Sequence, residues 1–236
     1  MERRLSRFIP LIRFYNIPTE DFLSKVHPFK ELLSNDLINN IIAYNKSPDT
    51  NSIQVTQLYR INSGIIKSQH FNIFASWIEK KDKFYYNKRK NPYKIQLLYR
   101  ASRDGDTVTR FHEKCDNKGP TLVITRIANS EHIIGGYNPL DWKPVLNECY
   151  KSTKDSFIFS FKDRNNLQTA KVSYPNDEKH QYSIVCYSGY GPTFGNGHEL
   201  GCYGNGNWAS HNLDTYPKIN IPSSFKVNDY EVFQVI

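Results

Sequence analysis

The segment DSFIFSF at residues 155–161 is the clearest strand pattern in the chain. Phe157, Phe159 and Phe161 fall on one side of an extended backbone, and the residues between them fall on the other, because side chains alternate across a strand. Aromatic and β-branched residues also favour strands. We therefore predict a strand at this position whose phenylalanines form one face of a core.

Strand-like blocks occur on both sides of this segment. They are IQLLYRAS at 95–102, TLVITRI at 121–127, IIGGY at 133–137, TAKVSY at 169–174, YSIVCYS at 182–188 and DYEVFQVI at 229–236. Many short strands separated by turns favour antiparallel sheets packed face to face. A parallel, doubly wound fold would need helices that alternate regularly with the strands. The expected fold class is therefore α+β, mainly β, with two antiparallel sheets packed as a sandwich with flanking helices.

Two helices are predicted within this β-rich part. One begins at Ser68 as its cap and carries Phe71, Phe74, Trp77 and Ile78 on one face, and the other carries Val108, Phe111, His112 and Cys115 on one face. Each helix thus has an apolar side that can cover a sheet.

The first 46 residues are predicted to form short helices. Ser34 can cap a segment in which Leu33, Leu37, Ile38, Ile41 and Ile42 recur at helical spacing. The run KSPDTNS at 46–52 favours turns and interrupts helices. We therefore divide the chain into a helical segment at 1–46, a linker at 47–64 and a β-rich domain at 65–236.

The positive charge of the chain is unevenly distributed. Residues 1–100 carry 17 Lys or Arg against eight Asp or Glu, whereas residues 101–236 carry 14 against 15. Lys80, Lys81, Lys83, Lys88, Arg89, Lys90 and Lys94 form a basic stretch, which we interpret first as a solvated loop. Nucleic-acid binding is not favoured, because no recognition helix, zinc-finger spacing or paired aromatic RNA-binding motif accompanies the stretch. It stays an alternative, with steep salt dependence as its signature.

The cysteines and the apolar runs indicate a cytoplasmic protein without a transmembrane segment. Cys115, Cys149, Cys186 and Cys202 include no CxxC pair, a pattern that suits reduced thiols. The apolar runs are shorter than the roughly 18 residues that a membrane span requires.

Five further blocks occur in an order that resembles the TLDc domain. They are LLYRASRDGDTVTRFHEKCDNKGPTLVITRI, IIGGYNPLDW, KDSFIFSF, YGPTFGNGHELGCYG and VNDYEVFQVI. The resemblance covers about residues 65–236. The preceding IPTEDFLSKVHPFKELLSNDLINNIIAY is similar to the end of a BACK domain. The expected architecture is of the BTB-BACK-TLDc type with a BACK remnant and without the BTB domain.

The resemblance implies a sandwich of two sheets and a role in the oxidative-stress response. It also implies that the partner belongs to the vacuolar proton-pumping ATPase, which relatives bind and regulate. The TLDc family has no settled catalytic residues, so the resemblance assigns none to this chain. We expect a non-catalytic protein-binding module without a cofactor.

Exposed loops of the sandwich are the expected contact surface, because binding residues concentrate on loops that a rigid scaffold positions. The candidate residues are Arg103, Asp104, Tyr137, Asn138, Asp141, Phe194, Asn196, His198 and Glu199. Asp104 is also a candidate N-cap of the next helix, and Trp142 is expected to anchor its loop by burial. The pairs Asn196-Gly197 and Asn205-Gly206 predict turns with positive φ.

Catalytic and metal-binding alternatives find less support in the sequence. His198, Glu199 and Cys202 are zinc-ligand residue types, but the glycine-rich stretch around them does not provide the helical spacing of an HExxH site. No metal site is predicted. A thiol-dependent peroxide-detoxifying enzyme is the main alternative, and it would need a thiol beside a base and a set of donors.

Overall fold

A computed structural model describes residues 19–33, Ile38, 62–87, 89–204, 206–211 and 214–236. The chain forms two compact units, Met1–Leu58 and Tyr59–Ile236. In the first unit a short helix α1 (Thr19–Asp21) continues into a π-helical turn (Phe22–Val26) and a 3-10 helix (His27–Leu32). Apart from Leu33 and Ile38, the helix predicted after Ser34 lies outside the described residues, as does the predicted linker apart from residues 62–64.

The second unit contains two antiparallel sheets. The six-stranded sheet has the order β1 (Ile95–Arg100), β11 (Val227–Val235), β2 (Thr121–Ile127), β3 (Ile133–Asn138), β5 (Phe157–Phe161) and β6 (Ala170–Ser173). The five-stranded sheet has the order β10 (Asn207–Ala209), β9 (Leu200–Tyr203), β8 (Tyr190–Phe194), β7 (Ile184–Cys186) and β4 (Cys149–Lys151). The helices are α2 (Ser68–Ile78), α3 (Ala101–Asp104) and α4 (Val108–Cys115). The predicted mainly β fold with two antiparallel sheets is confirmed.

Two apolar cores lie on opposite faces of the six-stranded sheet. One core joins this sheet to the five-stranded sheet and includes Ile158, Val232 and Phe194. The other joins the sheet to helix α2 and includes Phe159 and Phe233. Burial of apolar side chains on both faces makes the six-stranded sheet the middle layer of the domain.

Strand β5 shows the alternation that its sequence predicts. Phe157, Phe159 and Phe161 pack in the core beneath α2, and the rings of Phe159 and Phe74 lie 4.6 Å apart. Ile158 packs in the core between the sheets. Ring pairs at such distances stabilise a core by about 0.5–1.5 kcal/mol beyond their burial.

Strand β11 lies between β1 and β2, and both of its faces are covered. Tyr230 and Val232 face the core between the sheets, whereas Phe233 and Val235 face α2. The prediction of an integral C-terminal strand is confirmed. The strand ends at Val235, one residue before the end of the predicted block, and the Ile236 backbone still exchanges two hydrogen bonds with Lys94, at 2.8 and 2.9 Å.

Gly136 on β3 allows the two sheets to approach closely. A Cβ atom at this position would lie 2.6 Å from Cζ of Phe194 in the opposite sheet. A side chain at Gly136 would therefore force the two sheets apart.

Two predicted helix caps are wrong. Ser68 is the first residue of α2, and Lys67 is its cap. The backbone of Lys67 is extended, and its amide donates to His70 Nδ1 at 3.1 Å. Asp104 does not cap α4, because its carboxylate turns back to the Arg100 amide at 2.9 Å. The cap of α4 is Thr107, whose hydroxyl accepts from the following turn of the helix.

Candidate partner-binding surface

The outer face of the five-stranded sheet carries a cluster of tyrosines. Cys149 and Cys202 pack towards the core, so their neighbours Tyr150 on β4 and Tyr203 on β9 point outward. We call this surface the tyrosine face. It consists of Glu148, Tyr150, Tyr182, Tyr187, Tyr190, His198 and Tyr203, and all seven side chains are exposed or half-buried.

The rings of the tyrosine face contact one another edge to face. The ring centroid of Tyr190 lies 4.8 Å from that of Tyr187 and 5.2 Å from those of Tyr203 and His198. The His198 and Tyr203 rings are 5.3 Å apart. These contacts hold the rings in place, and a preorganised surface loses less entropy on binding than a flexible one.

Gly201 explains how the Tyr203 ring can lie along the sheet. A Cβ atom on Gly201 would be 2.9 Å from the Tyr203 hydroxyl oxygen and 3.0 Å from Cζ, so any larger residue would lift the ring. The Tyr203 hydroxyl is buried and has no hydrogen-bond partner among the described residues. Buried polar groups of this kind are uncommon in folded proteins.

Glu148 provides the negative charge of the tyrosine face. Its carboxylate accepts a hydrogen bond from the Tyr150 hydroxyl at 2.6 Å, and its second oxygen lies 3.8 Å from His198 Nε2. Burial and this hydrogen bond raise the pKa of Tyr150 to about 12. Burial lowers the pKa of His198, although Glu148 opposes the change. The tyrosine face thus presents protonated phenols and one carboxylate.

The turn between β8 and β9 places four of the predicted site residues. Phe194 is fully buried in the core, whereas Asn196 is exposed and His198 joins the tyrosine face. Glu199 is buried, and its carboxylate accepts from the amides of Thr215 at 2.7 Å and Gly197 at 3.3 Å. These bonds give Glu199 a structural role in the turn.

The backbone of this turn corrects one sequence prediction. The residues with positive φ are Gly195, at 83°, and His198, at 58°, rather than the predicted pair Asn196-Gly197. The His198 amide donates to the Gly195 carbonyl at 2.9 Å, so the tight turn spans Gly195 to His198. For Asn205-Gly206, Gly206 has a φ of 75° and Asn205 lies outside the described residues.

The predicted residues at the end of β3 and in the turn that follows it lie mostly in the interior. Tyr137 and Asn138 are buried, and the Asn138 side chain accepts from the Leu140 amide at 2.9 Å. Asp141 is half-buried and pairs with Lys151 on β4 at 2.5 Å. Trp142 is 1% exposed and donates to the Thr121 hydroxyl at 2.8 Å, so its predicted anchoring by burial is confirmed.

Arg103 and Asp104 are partners of each other. An Arg103 guanidinium nitrogen lies 2.6 Å from an Asp104 carboxylate oxygen and also donates to the Leu98 carbonyl at 3.2 Å. The hydrogen bond from Arg103 lowers the pKa of Asp104. This pair closes the corner between β1 and α3, and within the described ranges none of its hydrogen bonds reaches the tyrosine face.

The four thiols are reduced, and three of them are buried. Burial raises the pKa of Cys115 and of Cys186, and raises that of Cys202 to about 12. Cys149 is half-buried and lies directly opposite Cys186 in the pairing of β4 with β7. Within the described ranges, three or more His, Cys, Asp or Glu residues do not come together in a group that could hold a metal ion.

Sequence reasoning identified one member of the tyrosine face, His198, and missed the six others. The available signal is the alternation of tyrosine and glycine in CYSGYGPTFGNGHELGCYG at 186–204, because glycines next to aromatic residues allow rings to lie along a sheet. Tyr150 and Tyr182 are distant in sequence and carry no such signal.

No helix in the part of the chain that the structure describes has the length and apolar character of a membrane span.

Comparison with known proteins agrees with this architecture. The curated proteins contain no match to the chain. Among protein families, the TLDc domain matches residues 59–236, three quarters of the sequence. With its two-sheet sandwich and this match, the chain belongs to the TLDc domain family.

Proposed function

We propose that this protein is a non-catalytic binding module that holds a protein partner on its tyrosine face. The observation that carries this proposal is the preorganised, half-buried ring cluster around Tyr190 and His198. Tyrosine is enriched at protein interfaces and among the residues that dominate binding energy. Its phenol adds directional hydrogen bonds to a large apolar contact area.

The partner that we propose is a subunit of the vacuolar proton-pumping ATPase, in a cytoplasmic role linked to the oxidative-stress response. Membership of the TLDc family supports this choice. The tyrosine face offers protonated phenols together with the Glu148 carboxylate. It suits a partner surface that combines apolar side chains with hydrogen-bond acceptors and a basic residue near Glu148.

Affinity capture with matched variants tests the proposal. The full chain is immobilised and exposed to an extract of cytosol and vacuolar membranes, and retained pump subunits are quantified. The double variant Tyr187→Ala, Glu148→Lys should lose retention by about 30-fold or more, because truncating a dominant interface residue costs about 2 kcal/mol or more. The control Tyr85→Ala removes a half-buried tyrosine outside the tyrosine face and should retain the subunits.

Two outcomes contradict the proposal. Equal retention by the double variant and the wild type would show that binding uses another surface. Failure of the folded wild type to retain any pump subunit would remove the proposed partner. Melting temperatures of all variants establish that each is folded.

The thiol-dependent enzyme stays as the second candidate, because Cys149 and Cys186 lie opposite each other on neighbouring strands. The variant Cys149→Ala, Cys186→Val removes this pair and keeps the core apolar. Under the binding proposal, neither the wild type nor the variant consumes peroxide at a measurable rate. A peroxide-consuming wild type whose rate disappears in the folded variant would favour the enzyme.

A further inference from the structure

A cleft lies on the side of the domain away from the tyrosine face, between the end of α2 and the edge strand β6. Its volume is about 500 Å³, in the range of ligand-binding clefts. The residues that line it are Trp77, Lys80, Lys81, Asp82, Lys83, Ala170, Val172 and Tyr174. This site is separate from the surface proposed for the partner, because α2 and the five-stranded sheet cover different faces of the middle sheet.

The charge of the cleft is positive. Lys80 pairs with Asp155 at 2.7 Å, but both side chains are at least half exposed, and such pairs contribute little. Lys83 donates to the carbonyl of Gln168, a neutral group, at 3.0 Å. Lys81 is exposed and has no acidic partner among the described residues. The one carboxylate in the lining, Asp82, accepts from the Phe84 amide at 3.0 Å.

The backbone of Lys80 adopts a conformation that favours glycine. The Lys80 amide donates to the Trp77 carbonyl at 3.0 Å and the Lys81 amide to the Ser76 carbonyl at 2.8 Å, which together form a Schellman motif. The φ angle of Lys80 is 53°, in the left-handed region. A lysine there strains the backbone where glycine would not, and strain of this kind concentrates at functional sites.

The floor of the cleft is apolar. Trp77, Ala170, Val172 and Tyr174 form it, and the Tyr174 hydroxyl donates to the Trp77 carbonyl at 2.7 Å, which leaves its ring as the contact surface. The Lys80 ammonium lies 5.9 Å from the centre of that ring. Cations at the rim and rings at the floor suit a ligand that carries negative charge beside an apolar group.

We propose that this cleft binds an acidic peptide segment that places an apolar side chain against Val172 and the Tyr174 ring. The lysines at the rim attract the carboxylates of the segment, and the floor buries the apolar group. Ala170 and Val172 make half of this floor aliphatic, which suits an apolar peptide side chain. Nucleic-acid bases instead stack on exposed aromatic rings, and Trp77 is only 3% exposed. A flat anionic membrane would contact only the rim.

Fluorescence anisotropy of labelled peptides tests the proposal with the full chain. The first probe is a short peptide of aspartates and glutamates with one central phenylalanine, and the second replaces that phenylalanine by serine. Single-stranded DNA and vesicles that contain phosphatidylserine are the other two probes. We expect the phenylalanine peptide to bind at least about tenfold more tightly than the serine peptide, because only phenylalanine brings a large apolar side chain to be buried.

Charge-reversal variants locate the site. Lys81→Glu with Lys83→Glu should weaken binding of the phenylalanine peptide by at least about tenfold, since two attractions become repulsions. The matched control is Lys162→Glu with Lys171→Glu, which changes the charge by the same amount. Both lysines are exposed, and neither lines the cleft. Equal loss in both variants would show diffuse attraction and overturn the proposal. Equal affinity for both peptides, or binding of DNA or vesicles but not of peptide, would also overturn it.

Lys80→Gly separates a functional lysine from a structural one. Glycine relieves the left-handed strain, so the variant should melt at a higher temperature than the wild type while it binds the phenylalanine peptide more weakly. A structural role for the lysine predicts a lower melting temperature and unchanged binding. That result would contradict the proposal.

Discussion

His70 controls the first turn of α2 through both ring nitrogens. Nδ1 accepts from the Lys67 amide at 3.1 Å, so the ring proton lies on Nε2, which donates to the Arg164 carbonyl at 2.8 Å. A second proton would have to bind at Nδ1 and break the bond to Lys67. Burial, the largest cause, lowers the pKa of His70 accordingly.

We predict that stability decreases as the pH falls below 6.5. The unfolded chain binds a proton at His70 with the ordinary pKa of 6.5, whereas the folded chain does not until the pH reaches its lowered pKa. The free energy of unfolding therefore decreases between these two values. Burial also lowers the pKa of His132 and His198, and both add to the decrease.

Denaturant titrations at several pH values measure this effect. In His70→Gln the slope of unfolding free energy against pH should be smaller, because glutamine makes similar bonds and does not titrate. At pH 8, His70→Gln should lower the free energy of unfolding by less than about 1 kcal/mol, whereas His70→Ala should lower it by about 1–2 kcal/mol. A His70→Gln slope equal to that of the wild type would contradict the assignment.

Glu231 is a fully buried carboxylate that joins the segment before α2 to the middle sheet. It accepts from Arg100 Nε at 2.7 Å, from the Gly64 amide at 2.9 Å and from the Ser63 hydroxyl. We predict that Glu231→Ala destabilises the domain by about 3–5 kcal/mol, because it leaves the Arg100 charge without its partner. Chemical denaturation measures the loss.

The control for this prediction is Glu113→Ala. Glu113 pairs with Arg110 at a similar distance, 2.6 Å, but both side chains are about half exposed. Water screens such a pair, so its removal should leave the stability nearly unchanged. An equal loss of stability in the two variants would show that burial does not increase the contribution of the Glu231 contacts.

At the scale of elements, β11 connects the parts of the middle sheet. It pairs with β1 on one side and β2 on the other, and its side chains enter both cores. We predict that deletion of residues 230–236 removes cooperative unfolding, because it separates β1 from the sheet and exposes both cores. Calorimetry checks this prediction, and a truncated chain that melts with an unchanged sharp transition would contradict it.

The strands were predictable from sequence, whereas the helix caps were not. A strand such as β5 reveals itself through a period of two, which the sheet preserves whatever its neighbours are. The start of α2 depends on whether the His70 ring can reach the Lys67 amide, and Arg164, almost a hundred positions away, fixes that ring. A local capping pattern cannot contain such a contact.

At the scale of the whole molecule, the predicted boundary between segments can be tested by proteolysis. The domain was predicted to begin near Ile65, and the matched family region begins at residue 59. Asn62 and Gly64 are bonded to Arg100 and Glu231, so we predict that trypsin cuts between Lys46 and Arg60 and spares Lys67.

Mass spectrometry of the fragments provides the measurement. A stable C-terminal fragment that begins between residues 47 and 61 is expected from the wild type. Glu231→Ala should add a cut at Lys67, because it releases the segment that the carboxylate holds. A first cut between residues 121 and 161 would contradict the predicted organisation.

The sequence by itself determined the fold class. The alternation of side chains within a strand and the order of the strand-like blocks can both be read without knowing which strands pair. It also placed the buried Trp142. Only the tertiary structure decided the candidate sites. The tyrosine face joins Tyr150 to the ring of Tyr182, about thirty positions later, and the basic cleft joins Lys80 to Tyr174 across two elements. Such sites arise from the pairing of strands and the docking of a helix, which depend on contacts between residues far apart in the chain.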